Sequence, residues 1–416
     1  MLLLFTFVCY IIPVVLGIPL SEYDYDSIND INFGNENWGL IPLDNAPSPA
    51  IRGEKFGYQG ETHEVTTTDG YILQMHRIIG SRKSPKANNK PAVLLVHGLL
   101  DCSATWVLGT PEKALGYILA DWGYDVWMGN VRGNRYSRKH KWLNIKDKKY
   151  WSFSWHEMGL YDLPAMIDHI LKITNQKKIM YIGHSQGGTA FLVMASERPE
   201  YQEKIEAAFP LAPASFMSHM TNAFFRLLAT FVDALEELTK IIGLNEFQPS
   251  SKFIQKVMAI ACKEEAITSP LCTSVIFLIS GPSFKQLNRT LIPEIGQYDP
   301  AGSSAKQFVH YGQLVNSGNF AQFDYGLFGN LKTYGRSSPP KYNLANIKIP
   351  IYIYYGSDDQ LVSDTDVRRL SKELPNAQRY LVPYQHFSHI DFVWGKDVDT
   401  LLYNRVLNRM EVHRKK

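Results

Sequence analysis

The chain has 416 residues, 45% of them hydrophobic and 20% charged, which is a globular composition with ample length for a large core. One α/β domain with an insertion fits this length, and so do two domains. The formal charge is only +3 and the Lys and Arg residues are scattered, so no nucleic-acid partner is expected.

Residues 1–16 are almost wholly apolar, and Val15 and Gly17 are small residues of the kind that precede a cleavage site. The run is short for a membrane span and no charged stop-transfer follows. Residues 1–17 are therefore read as a secretory signal, although the n-region lacks Lys and Arg, and no transmembrane anchor is expected. Residues 18–50 form an N-terminal arm or pro-segment; within them, 21–37 are acidic and dotted with aromatics. With Cys9 removed, Cys102, Cys262 and Cys272 remain, an odd number that leaves one thiol over. Cys262 and Cys272 are close in sequence and are the expected disulfide. Asn288-Arg289-Thr290 is the only glycosylation sequon. Both features agree with an oxidising compartment.

In chain order, residues 64–68 and 71–78 flank Asp69-Gly70, a hairpin signal. Residues 92–96 are a short buried-type strand ending at His97-Gly98-Leu99-Leu100. Residues 115–121 are helical, and 125–128 are a strand ending at Gly129-Asn130. Residues 160–174 are an amphipathic helix. Then come strand 179–182, a sharp turn, helix 189–197 and strand 207–212. Strand–helix alternation predicts a mainly parallel sheet covered on both faces. The alternation breaks at residues 215–342, read as a helical cap. There 216–243 have a helical period, with Phe224, Leu227, Leu228, Phe231, Leu235 and Leu238 on one face, and 253–262 and 274–279 continue the apolar helical character. Strands 351–355 and 378–382 and a closing helix, 398–410, complete the core, which divides into 51–214 and 343–416.

The turn before residue 189 reads Gly183-His184-Ser185-Gln186-Gly187, a G-x-S-x-G between strand and helix. Such a turn projects the serine hydroxyl free of the backbone, and Ser185 is the candidate nucleophile. A serine needs a base, and the base needs an orienting acid. Gly356-Ser357-Asp358-Asp359 follows a strand and offers two acids. His386-Phe387-Ser388-His389 offers two bases. The chain order Ser, Asp, His is that of α/β-hydrolases. The oxyanion donors are expected to be the backbone N–H groups of Gln186, after the nucleophile, and Leu99, in the loop after an early strand. The two histidines lack a third ligand cluster, so no metal is expected.

Together these stretches resemble the acid lipase family of gastric and lysosomal lipases and their insect relatives. The resemblance rests on Thr66-Thr67-Thr68-Asp69-Gly70-Tyr71, on His97-Gly98-Leu99-Leu100 with Ser103-Ala104, and on the elbow around Ser185. It also rests on Gly129-Asn130-Val131-Arg132-Gly133-Asn134, Trp151-Ser152-Phe153-Ser154-Trp155, and His389-Ile390-Asp391-Phe392-Val393-Trp394-Gly395. It implies an α/β-hydrolase fold with an inserted helical lid. The family's acid is the fourth residue of a G-x-x-D turn, which selects Asp359 over Asp358. Its base precedes an apolar-Asp-Phe-apolar-Trp string, which selects His389 over His386. Cys262 and Cys272 lie where the family carries a cap disulfide, whereas Cys102 in the oxyanion loop is a departure. The implied activity is hydrolysis of neutral-lipid esters, triacylglycerols and in some members cholesteryl esters, at a lipid–water interface, without a cofactor. A carboxylesterase acting on short soluble esters and an inactive lipid-binding protein are the rivals. Secretory routing leaves extracellular and lysosomal destinations open.

Overall fold

The computed structural model describes residues 46–232, 245–247, 281, 283 and 285–414. The expected signal, most of the N-terminal arm, the Cys262–Cys272 pair and the helical runs 253–262 and 274–279 lie outside the described residues. Nine described strands form one sheet: β1 (Gln59–Thr66), β2 (Tyr71–Gly80), β3 (Ala92–Val96), β4 (Asp125–Gly129), β5 (Lys139–His140), β6 (Ile179–His184), β7 (Ile205–Leu211), β10 (Ile351–Tyr355) and β11 (Ala377–Leu381). Their order is β1-β2-β4-β3-β6-β7-β10-β11, with β5 beside β2. β2 pairs antiparallel with β1, β4 and β5, and all pairings from β4 to β11 are parallel. Two short strands, β8 (Glu246–Phe247) and β9 (Ser303–Ser304), pair apart from it.

The parallel strands are short because both faces are covered. β3, β4, β6 and β10 are buried at every residue, in keeping with their mainly apolar sequences. The covering helices are α1 (Leu115–Asp121), α2 (Leu163–Thr174), α3 (Gln186–Glu197), α7 (Asp364–Glu373) and α8 (Asn404–Arg414). α4 (Ala223–Thr230), α5 (Ala305–Ser317) and α6 (Gly326–Tyr334) lie in the chain between β7 and β10. No described helix is long and apolar enough to cross a membrane.

Several elements differ from the sequence expectation for local reasons. β1 starts at Gln59, well before the expected 64, because its first residues are polar or glycine and exposed or half-buried, so no apolar run marks them. The helix expected at 160–174 opens with a π turn, Met158–Asp162, before α2 begins. The run expected to be helical from 216 forms no helix until Ala223. The Thr221 and Asn222 N–H groups instead donate to the Gln360 carbonyl (2.9 and 3.0 Å), which pins the bend to the loop after β10. Beside the apolar face expected from the period, a neighbouring set of side chains is buried. Phe225, Ala229 and Val232 are buried, while Phe231 is 55% exposed. Gly312 of α5 explains this choice, since a Cβ there would stand 2.8 Å from Val232. Leu235 and Leu238 lie outside the described residues.

Candidate active site

β3 marks the point where the strand order reverses. The next strand, β4, lies on one side of it, and β6 lies on the other. Loops leaving the carboxyl ends of β3 and β6 diverge and open a crevice there. Ser185 follows β6, and His97-Gly98-Leu99 follows β3. The loops holding Asp359 and His389 follow β10 and β11, so all four groups gather at the same sheet edge.

Ser185 has φ 50° and ψ −114°, a backbone conformation that L-residues rarely adopt. Its surroundings hold it there. Its N–H donates to Leu211 O (2.8 Å), and its C=O accepts from the Gly188 and Thr189 N–H groups. The flanking glycines are steric necessities. A Cβ on Gly183 would stand 2.6 Å from the Gly187 carbonyl carbon, and one on Gly187 would stand 2.3 Å from Val96 O.

His389 Nδ1 donates to Asp359 Oδ2 (2.8 Å), and both residues are buried. Asp359 Oδ1 accepts from the Leu361 and Val362 N–H groups (2.9 Å each), so the carboxylate is held at both oxygens. The other two sequence candidates form a separate pair. Asp358 and His386 are 3.6 Å apart, and their side chains are 44% and 47% exposed. The two loops meet because Gly356 has no side chain; a Cβ would lie 2.2 Å from Phe387 O. Asp391 braces the same loop, with Oδ2 accepting from the Ser388 N–H (2.7 Å) and Oδ1 from the Ser283 hydroxyl. Burial pushes the Asp391 carboxyl up to about 6.

His184, the variable residue of the elbow, was not singled out by sequence. Its Nε2–H donates to the His389 carbonyl (3.0 Å), and its ring lies 4.9 Å from that of His389. On its other side, a Cβ on Gly98 would be 3.3 Å from His184 Nδ1 and 3.4 Å from Ser185 Cβ. One buried imidazole therefore spaces the base loop from the β3 loop, and burial holds it well below the usual histidine range, in the neutral form.

The β3 loop is held by the segment beginning Gly129-Asn130. His97 Nε2 accepts from the Val131 N–H (3.3 Å) and Asn134 Nδ2 (3.1 Å), which leaves Nδ1–H to donate to Gly98 O (2.8 Å). Burial pushes the His97 pKa down to about 4, so this tautomer persists near neutrality. Asn130 takes the Ser103 N–H (2.9 Å). The Leu99 N–H has no acceptor among the described residues. The Gln186 N–H opens α3, where helix geometry supplies no acceptor. The Trp151–Trp155 stretch has a second supporting task. Trp155 stacks on His310 of α5 (3.8 Å between centroids), and from the same helix Gln307 Oε1 accepts from Gln186 Nε2 (2.6 Å). Nothing in the Gln307 sequence context signalled this contact.

Cys102 is fully buried among Ala104, Leu108, Ile295, Tyr298 and Ala301, and burial raises its thiol well above the usual range. It is packed there as a small apolar group. Asp101, Cys102 and Asp299 place ligand atoms within 4.8 Å of one another. Burial pushes Asp101 up to about 7, while burial and the neighbouring Asp101 push Asp299 well above the carboxylate range; Arg135 acts in the opposite sense. Asn288 is half-buried at the surface. Its Oδ1 accepts from the Thr290 N–H and hydroxyl (3.2 and 2.8 Å).

Residues 91–395 match the family described as alpha/beta hydrolase fold, and residues 52–110 match a partial alpha/beta-hydrolase lipase region. Lipase 3 of Drosophila melanogaster is 45% identical over 361 residues, covering 86% of this chain and 92% of that protein. Gastric triacylglycerol lipase of Bos taurus is 36% identical over 362 residues, covering 86% and 90%. A crystal structure from Sulfolobus solfataricus superimposes with a TM-score of 0.57 over 85% of this chain and 94% of that one, at 14% identity, a likeness of fold alone. The fold and these matches define an α/β-hydrolase. Within that class the chain belongs to the acid lipase family, with Lipase 3 of the fly among the relatives it resembles.

Proposed function

We propose that the chain is a serine lipase that hydrolyses carboxylic esters of neutral lipids through an acyl-enzyme on Ser185. Membership of the lipase family makes it a carboxylic ester hydrolase. The observation that carries the finer reading is the buried His389–Asp359 pair, joined through His184 to the strained Ser185 turn. In this reading His389 Nε2 takes the Ser185 proton as Oγ attacks the ester carbonyl. Asp359 keeps the proton on Nδ1 and stabilises the imidazolium. The N–H groups of Leu99 and Gln186 receive the oxyanion. The alcohol leaves with the proton from His389. Water then repeats the sequence on the acyl-enzyme, releasing the carboxylic acid and free Ser185.

Triacylglycerols are the proposed substrates, with cholesteryl esters a second class; the names of the fly and bovine relatives support a lipid ester. Secretion or lysosomal delivery follows from the apolar N-terminus, with a glycan on Asn288 and a Cys262–Cys272 disulfide. Residues 51–214 and 343–416 form the catalytic core, and 215–342 form the cap. The test is hydrolysis of triolein, cholesteryl oleate and a short soluble ester by the parent chain and by Ser185→Ala. The variant should lose about 10⁴-fold or more on every ester cleaved. Retained turnover by Ser185→Ala refutes the nucleophile, and cleavage of the soluble ester alone refutes the substrate class.

A further inference from the structure

Helix α6 is built inside out. Leu327, Phe328 and Leu331 are 55%, 84% and 48% exposed, and Tyr325 at its start is 40% exposed. Eleven large hydrophobic residues are this exposed among the described residues, and four of them fall within these seven positions. Scattered exposed leucines need no account, but a cluster does. Leu331 neighbours Leu327 at i+4 and Phe328 at i+3, so the three side chains cover one side of the helix about 100° wide. The buried residue of the helix is polar. Asn330 accepts from the Tyr325 N–H (2.9 Å) and donates to Asp324 Oδ1 (2.8 Å) and Ser337 O (3.1 Å). The Tyr334 hydroxyl donates to Phe323 O (2.8 Å). Polar contacts from below thus fix the helix, and its apolar face points outward.

Two further observations identify what that face meets. Residues 325–341 contain Lys332, Arg336 and Lys341, all exposed, and no Asp or Glu. The helix also stands one step from the candidate active site. Gln307, which bonds Gln186, is preceded by Lys306, whose Nζ donates to the Tyr325 hydroxyl (2.9 Å).

We propose that α6 is a fixed anchor that docks the enzyme on an anionic lipid–water surface. The negative charge there comes from fatty-acid carboxylates, so this inference rests on the substrate class proposed above. Each ester bond cleaved consumes one water and yields one alcohol and one carboxylic acid, which ionises to a carboxylate and a proton. Long-chain carboxylates stay at the interface. Docking therefore strengthens as product accumulates.

Flotation of the full-length chain with triolein droplets coated in phosphatidylcholine, with or without oleate, tests this. The Ser185→Ala background keeps the surface unchanged during the measurement. Replacing Leu327, Phe328 and Leu331 together by Ser should lower partitioning about a hundredfold on both droplets. Replacing Lys332, Arg336 and Lys341 by Gln should lower it about fivefold per charge, on oleate droplets only. With Ser185 restored, kcat/KM on the soluble ester should stay within about twofold, which verifies the fold. Unchanged flotation of the serine variant overturns the anchor, as does a lipid-free dimer that the same variant dissolves. A glutamine variant that keeps the parent's preference for oleate droplets overturns the carboxylate as its target. A chain that docks as described yet cleaves no emulsified ester refutes the substrate reading alone. Emulsified triolein cleaved equally by parent and serine variant refutes the anchor alone.

Discussion

Gly187→Ala is a one-carbon change that tests how the candidate site is assembled. The added Cβ would stand 2.3 Å from Val96 O, 2.9 Å from Val96 C and 3.1 Å from His97 O. All three atoms are backbone, so no side chain can swing aside. Reaching even a tight 3.0 Å contact requires the start of α3 to withdraw from the end of β3 by about 0.7 Å. That displacement moves the start of α3, which carries the Gln186 amide, against the end of β3, whose loop carries the Leu99 amide, and these are the two proposed oxyanion donors. Donor placement of this kind tolerates about 0.5 Å. Loss of one donor lowers kcat by about 10²–10³-fold, and overpacking lowers stability by about 1–3 kcal/mol. The assay is kcat on a soluble ester well below the unfolding temperature, with active sites counted by a phosphonate that labels Ser185. Gly296→Ala is the control, since its Cβ would meet nothing nearer than 3.5 Å. A Gly187→Ala enzyme within about threefold of the parent kcat would show that the close approach of α3 to β3 does not set the oxyanion geometry.

Three other variants probe the acids. Asp359→Asn keeps an oxygen for the Leu361 and Val362 amides but loses the charge beside His389, and kcat should fall about 10⁴-fold while Asp358→Asn stays near the parent; the reverse order refutes the assignment. The Asp101–Asp299 pair should make stability pH-dependent. The folded state holds a proton more tightly than the unfolded state, where Asp ionises near 3.8, so the pair's contribution is complete below that pH and is lost as pH climbs toward about 7. Asp299→Asn removes one of the two charges and should flatten that decline in melting temperatures taken across the range; an unchanged slope refutes the pair as its source.

The sheet was legible because its strands are short apolar runs punctuated by loops. β3 and β10 begin and end at the expected residues, since a strand buried on both faces reads as a near-continuous apolar run. The wet half of β1 carried no such signal. The burial of Phe225, Ala229 and Val232 could not be read from the period alone, because Gly312, distant in sequence, makes the room for Val232. In the candidate site, spacing found the elbow, and the resemblance chose between adjacent acids and between histidines three apart. The contacts of His184 and Gln307 were not legible. Each is a generic polar residue until a partner 205 or 121 positions away is brought beside it.

The bond from His184 to the His389 carbonyl has a consequence for biosynthesis. A chain emerging N-terminus first presents the elbow long before β10, β11 and the loop that bears His389 exist. Until then the sheet edge beside β7 is open, and an unpaired edge is where misassembly starts. On the proposed assignment of His389 as the base, hydrolytic activity appears only after the last sixth or so of the chain has been made and docked, an ordering typical of folds rich in distant contacts. A truncated product of this gene is expected to be an aggregation hazard rather than a weakened enzyme.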